Sequence, residues 1–456
     1  MEFFKLKENK TDVKTEVLAG ITTFMTMAYI LIVNPNILSV AGMDAGGVFT
    51  ATALSAVIAT VAMALMANYP FALAPGMGLN AFFAFTVVGI MGKSWEFAIT
   101  CILAEGIIFI ILTFLNVREA IFNAIPTTIK YSVSAGIGLF IAFIGLQNAG
   151  IIVSEGATLV KLGDMMLAPA VLAMVGVIIT VIMLKKGVKG ALLFGVLGTY
   201  VLGIVAELIG WYVPDMVTTF PLLPSKLASL PPSLAPVFWK FVPFSELFAD
   251  FDSILTFIIV TFTFLFVDLF DTLGTLMGVA SKTDYLDKDG KLPRIKQALL
   301  ADAIGTTMGA ILGTSTVTTY VESSAGVAEG GRTGLTALTT AACFALALVF
   351  SPIFLAIPGF ATTPALVIVG VFMIDGITKI DFGDITESLP AFLTMAMMPL
   401  AYSISEGLIF GIISYVIVKA FTGKAKEITW MMYGLAFVFI LKLIVGSPTF
   451  AVLMGW

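Results

Sequence analysis

The sequence predicts an all-α polytopic membrane protein. Its transmembrane segments form a seven-plus-seven inverted repeat, 14 in the core, with two short strands preceding broken third and tenth helices. Three observations lead there. Of the 456 residues, 59% are apolar and only 12% are charged, with a mean hydropathy of +1.06, and a soluble chain of this length could not hide so much apolar surface. Apolar segments recur from end to end at the ~20-residue length that crosses a bilayer. The two halves of the chain also repeat one order of elements, seen when Ser55–Asn80 is laid on Ala301–Gly326.

Full-length spans are expected at about 17–38, 48–68, 95–115, 129–147, 167–184, 190–210, 254–279, 297–313, 334–357, 363–377, 387–403 and 405–420. Two pieces, about 76–90 and 322–330, are too short or too polar to cross, and each follows a short extended stretch. A last apolar segment, 428–445, follows a basic loop. Lys5, Lys7, Lys10 and Lys14 precede the first span, and alternate loops are basic: Arg118 and Lys130; Lys185, Lys186 and Lys189; Lys282, Lys288, Lys291, Arg294 and Lys296; Arg332; Lys379; Lys419, Lys424 and Lys426. That alternation puts the N-terminus on the cytoplasmic side of a cell membrane. The stretch from Trp211 to Asp250 holds seven of the 19 prolines and reads as a long outer connection between the halves. Trp95, Trp211, Trp239 and Trp430 fall at span ends, where indoles favour the interface. The first 16 residues are polar and charged and a full span follows, so no cleavable signal is expected.

In the first half a span runs into Asn68–Asn80, with Pro75, Gly76 and Gly78 breaking any continuous helix. In the second, a span runs into Gly313–Gly326, where Thr316–Tyr320 is β-branched and aromatic and favours a strand. With seven segments per half the halves run in opposite directions, and broken helices that meet at the midplane form a substrate site. Two short strands arriving from opposite sides can pair, and the helix after each points its positive end into the cavity.

Acids inside spans cost roughly 2.5–3.5 kcal/mol each on translocon scales, which makes them functional candidates. Asp268 and Asp271, spaced i and i+3, share a helix face. Glu322 starts the second short helix, Asp302 lies in the span before it, and Asn80 in the first short helix can donate and accept. Packing or helix-pairing roles suit Asp302, Glu105 and Glu207, and Glu406 lies near a span end. Near the break, Phe82, Phe83 and Phe270 are the rings placed to stack on a ligand. There is no histidine, and Cys101 and Cys343 lie in apolar stretches, so neither a metal site nor a disulfide framework is expected. No phosphate-binding glycine loop is present to hydrolyse ATP, no catalytic constellation is visible, and the net charge of −5 points to no nucleic-acid partner.

Four stretches, Thr15–Pro35, Ala74–Phe83, Val267–Thr275 and Thr319–Gly334, together resemble the AzgA-like purine permeases of the second nucleobase–cation symporter family, across essentially the whole chain. The resemblance implies a core domain (17–115 and 251–357), a gate domain (125–210 and 363–420), the connection 211–250, an extra C-terminal segment 428–456, and a homodimer formed through the gate. It places Asp268 and Glu322 on the base, with Tyr320, Ser323 and Asn80 beside them. Asp271 is then left to helix contacts or coupling. Uracil-type relatives carry a histidine shortly after the eighth-segment acid, where this chain reads Asp271-Thr272. The expected function is import of hypoxanthine, guanine or adenine by proton symport through alternating access, with no cofactor. Asp268, Asp271, Asp302 and Glu322 are the candidates for the coupling proton. A sulfate-type anion carrier on the same plan, and more remotely a membrane-embedded enzyme or channel, are the alternatives.

Overall fold

The computed structural model describes residues 2–115, 125–214, 222–224, 226–280, 285 and 292–445. Arg118, Lys282, Lys288 and Lys291 of the basic loops lie outside the described residues, as does the side chain of Phe270.

In chain order the principal elements are α1 (Val13–Met27), α2 (Ile30–Val40), α3 (Ala45–Ala62), β1 (Leu73–Pro75), α4 (Met77–Ala81), α5 (Trp95–Phe114) and α6 (Thr127–Asn148). A hairpin of β2 (Ile152–Glu155) and β3 (Leu159–Leu162) follows, then α7 (Ala168–Lys185), α8 (Ala191–Leu208), α9 (Phe251–Ala280), α10 (Ile295–Leu312), β4 (Val317–Thr319) and α11 (Ser323–Ala328). The chain ends with α12 (Gly334–Ala347), α13 (Gly359–Ile374), α14 (Ile385–Leu400), α15 (Ile404–Phe421) and α16 (Trp430–Val445). Polar residues fix where helices begin: the side chains of Asp12, Asp44, Ser94 and Ser403 accept from backbone N–H groups of the first turns of α1, α3, α5 and α15. Gly313 ends α10 in the left-handed region (φ +96°), the usual use of glycine after a helix.

Ten helical stretches among the described residues are long and apolar enough to cross a membrane. Two of the twelve expected spans are not among them. The helix at 297–313, α10, carries Lys296, Gln297 and Asp302, and that at 387–403, α14, has only 16 residues. The C-terminal α16 likewise contains only a shorter apolar stretch, Trp430–Leu441. The first helix starts earlier than expected, so Glu16 is part of it and fully buried.

The helices pack in two sets. In one, α1 packs on α11 and α12, α3 on α2, α10 and α12, and α5 on α9 and α10. In the other, α6 packs on α13, α14 and α15, and α7 on α8 and α13. Glycines let backbones meet: a Cβ on Gly138 would stand 2.6 Å from the Gly370 carbonyl, which holds α6 against α13 at a distance only glycine allows. The proline-rich connection covers the ends of the first set. The Pro232 carbonyl accepts from Thr50, Trp239 N–H donates to Ile311 O, and Val242 N–H donates to the Thr100 hydroxyl.

Candidate substrate site

Two three-residue strands cross in the middle of the first helix set. β1 and β4 run antiparallel, pairing Leu73 with Thr319, Ala74 with Thr318 and Pro75 with Val317. Bonds from Gly76 N–H to Thr316 O (2.9 Å) and from Tyr320 N–H to Ala72 O (3.0 Å) extend the ladder. Irregular backbone at this depth must find partners within the protein. Threonines on the preceding helices supply them. Thr60 of α3 accepts from Leu73 N–H at 3.0 Å and donates to Leu73 O at 3.1 Å, and Thr306 of α10 donates to Val317 O at 2.9 Å. Thr60 and Thr306 are equivalent in the alignment of the two halves.

Each strand turns directly into a short helix. At the first turn a Cβ on Gly76 would stand 2.8 Å from the Thr318 methyl, so the strands could not approach this closely with a larger residue. At the second, Glu322 occupies the N-cap of α11. Its carboxylate accepts from the Tyr29 hydroxyl at 2.7 Å. Tyr29 lies in the two-residue break between α1 and α2 and is buried. The Tyr320 hydroxyl donates to Pro75 O at 2.5 Å, tying the second turn to the first.

These residues line a cavity of about 60 Å³, whose walls include Tyr29, Gly76, Asp271, Tyr320 and Glu322 together with Val369 and Met373 of α13. It therefore sits between the two helix sets. No lysine or arginine is among the described residues that line it. A larger cavity of about 520 Å³ lies at the ends of α6, α14 and α15, among Lys379, Asp384, Glu387, Lys419 and Glu427. There Lys419 pairs with Glu387 and Glu427, and Lys424 with Asp384. Most of the charged groups there are thus engaged in ion pairs.

The expected site residues separate into two groups. Glu322, Tyr320 and Asp271 line the cavity. Asp268 does not: it lies one helical turn away, fully buried, and its carboxylate accepts from Thr272 at 3.2 Å. The Thr272 hydroxyl also meets Asp302 at 2.6 Å and Thr318 at 2.8 Å, so Asp268 and Asp302 belong to a polar cluster behind β4. Of the two α9 acids, Asp271 is therefore the one that lines the cavity, whereas the resemblance puts Asp268 on the base. Asn80 and Ser323 serve the strand crossing instead of lining the cavity: Asn80 accepts from Ser315, and Ser323 accepts from Ala72 N–H at 3.0 Å. Phe82 and Phe83 are fully buried in the core, with Phe82 edge-on to Phe264 at 4.8 Å, and are not in the cavity wall. Glu105 accepts from Thr316 at 2.7 Å and Glu207 from Leu222 N–H at 2.9 Å. Tyr29 is a cavity residue that spacing and composition miss. Its signal is a lone phenol in the middle of a long apolar run, shortly before Asn34-Pro35.

The sequence pattern of the Permease family (Xan_ur_permease) matches residues 14–410. The chain belongs to this family. It is 50% identical over 443 residues to a putative permease of Methanocaldococcus jannaschii, covering 97% of this chain and 98% of that one. It is 42% identical to the adenine permease AdeP of Escherichia coli (97% and 95% covered) and 43% identical to the guanine/hypoxanthine permease PbuO of Bacillus subtilis (97% and 100%). As a permease-family member it is a transporter and not an enzyme. Among solved structures, the fold is similar to the transmembrane domain of the cyanobacterial bicarbonate transporter BicA (TM-score 0.65, 18% identity, 87% of this chain and 97% of that one). It is also similar to SLC26A9 (TM-score 0.65, 10% identity, 91% and 67%). At such identities the likeness speaks for fold alone.

Proposed function

We propose that this permease imports purine nucleobases by proton symport, with Glu322 and Asp271 as the acids that hold the base. The observation that carries the reading is that these two carboxylates face one cavity, beside two strand-to-helix turns, with no cationic side chain among its described lining residues. A purine presents ring N–H groups that suit carboxylate acceptors and ring nitrogens or a carbonyl that suit backbone N–H donors. An oxyanion would meet two acids without a counter-charge, which weighs against the anion-carrier alternative despite the similar fold. Relatives named for adenine, guanine and hypoxanthine support the same substrate class.

In this reading the first helix set is the core and the second the gate of a seven-plus-seven inverted repeat. The lysine-rich end of the chain faces the cytoplasm, and a homodimer joins through the gate. The cavity of about 60 Å³ is small for a bicyclic base, and in this reading the α13 wall draws back to admit it, the motion of alternating access. Proton coupling has a candidate seat in the Asp268–Thr272–Asp302 cluster. There one hydroxyl, that of Thr272, stands between two buried carboxylates.

Uptake of labelled hypoxanthine, adenine and guanine by cells stripped of their own purine permeases tests the substrate class. Expression of this chain should restore uptake of at least one purine, with competition by other purines and none by uracil. Uptake that uracil abolishes, or restored sulfate or bicarbonate uptake without purine uptake, would overturn it.

A further inference from the structure

Glu16 of α1 is fully buried, and its carboxylate accepts five hydrogen bonds. One carboxylate oxygen accepts from Arg332 N–H at 2.9 Å. The other accepts from Thr333 N–H (3.2 Å), the Thr333 hydroxyl (2.8 Å), Thr336 N–H (3.1 Å) and the Thr336 hydroxyl (2.7 Å). Most of these donors belong to the start of α12, whose dipole also favours the charge. Yet α12 already has its own cap, since the Thr333 hydroxyl accepts from Leu335 N–H. The bond that capping does not explain is the one to Arg332, which lies outside the helix.

Arg332 leads back to the site. Its guanidinium donates to Val327 O at 2.6 Å, in the last turn of α11, and to Gly331 O at 2.8 Å in the loop that follows. That helix has six residues, so about 9 Å separates its two ends, and Glu322 stands at the other one. Between them α11 rests directly on α1: a Cβ on Gly326 would stand 2.6 Å from Ala19 O, and one on Gly331 2.9 Å from the Ala19 methyl. The α1–α2 run therefore grips α11 at both ends, through Tyr29 at Glu322 and through Glu16 at Arg332.

We infer that Glu16 is a positioning residue for the substrate site: through Arg332 it sets where the Glu322 carboxylate stands, without touching substrate itself. The inference rests on the reading of Glu322 as a base-binding acid. The test uses the purified full-length protein and the variants Glu16→Gln, Arg332→Gln and Thr340→Val. Thr340 donates to Gly20 O at 2.9 Å, in the same α1–α12 contact but away from Arg332. Binding of labelled hypoxanthine, adenine and guanine is titrated, and amide hydrogen exchange is followed without ligand. Glu16→Gln and Arg332→Gln should each weaken binding about tenfold, the double variant little more than either, because the bond of Glu16 to the Arg332 backbone and that of the Arg332 guanidinium to Val327 O act in series. Both should speed exchange of amides 322–331. Thr340→Val should lower the melting temperature and leave affinity and that exchange unchanged. If Glu16→Gln lowers the melting temperature but keeps affinity within about twofold of the parent, Glu16 is structural only and the inference falls. Should Glu16→Gln not fold, Arg332→Gln decides by the same criteria. A parent protein that binds none of the purines refutes the function, and the exchange comparison alone then decides the role of Glu16.

Discussion

Glu322 and Asp271 enter the same cavity from different elements, one from a helix start and one from a helix interior. A charge-assisted hydrogen bond to a bound base is worth roughly 1.5–3 kcal/mol, or about ten- to 150-fold in affinity. Glu322→Gln should therefore weaken purine binding by that range while the protein remains folded and inserted; affinity near that of the parent would contradict the assignment. On α9, Asp271→Asn should weaken binding more than Asp268→Asn, whose effect should fall on proton coupling and on packing. A titration with the reverse order would show that Asp268 reaches the base. The resemblance put Asp268 on the base, but helix spacing could not choose between the two, because residues three apart lie on one face and only the neighbouring elements decide which meets the cavity. Here Thr272 and Asp302 take Asp268 away from it. The place of Glu322 at a helix start was legible, since an acid just after a β-branched run stands where a strand gives way to a helix. Tyr29 was not, because nothing in an apolar run says which ring ends beside an acid 293 positions away.

Short elements at this depth stand only because larger ones hold them. β1 and β4 have three residues each and depend on Thr60 and Thr306 for their remaining backbone partners. The break itself was legible from Pro75, Gly76, Gly78 and the run 316–320. The service roles of Asn80 and Ser323 were not, since they answer backbone groups that exist only once the strands cross. The fit of α11 on α1 gives a direct test. Gly326→Ala would push a methyl against the Ala19 carbonyl, which cannot turn aside, and should cost about 1–3 kcal/mol of stability together with uptake. Unchanged thermal stability of Gly326→Ala would mean that the two helices are less tightly set. At the larger cavity, the hydrogen bond from Lys424, with those from Thr386, holds the Asp384 carboxyl down at about 2, from an ordinary value of 3.8. A folded value below the unfolded one adds stability that is complete above about pH 4 and is lost as the pH falls toward 2. Asp384→Asn should accordingly lower the melting temperature at neutral pH, and the difference should close between pH 4 and 2. A difference that persists at pH 2 would show that the bond to Lys424 is not its source.

Across the whole molecule, composition alone identified a membrane protein, because 12% charge in 456 residues leaves no means of covering a soluble surface. The number of spans was less legible. Hydropathy treats each segment by itself, whereas α10 can carry Lys296 and Asp302, the latter buried against Thr272, because its neighbours surround it. The two helix sets, with the cavity between them, give the proposed transport cycle its moving parts: one set holds the base and the other closes the wall. The central claim is that a proton gradient drives a purine across this assembly. Its most direct test is uptake of labelled hypoxanthine, adenine or guanine into proteoliposomes of the purified protein, with an imposed inward proton gradient and no sodium. Accumulation above the outside concentration that collapses on adding a protonophore is the predicted result. Flux that only equilibrates, or that rises only with a sodium gradient, would contradict it.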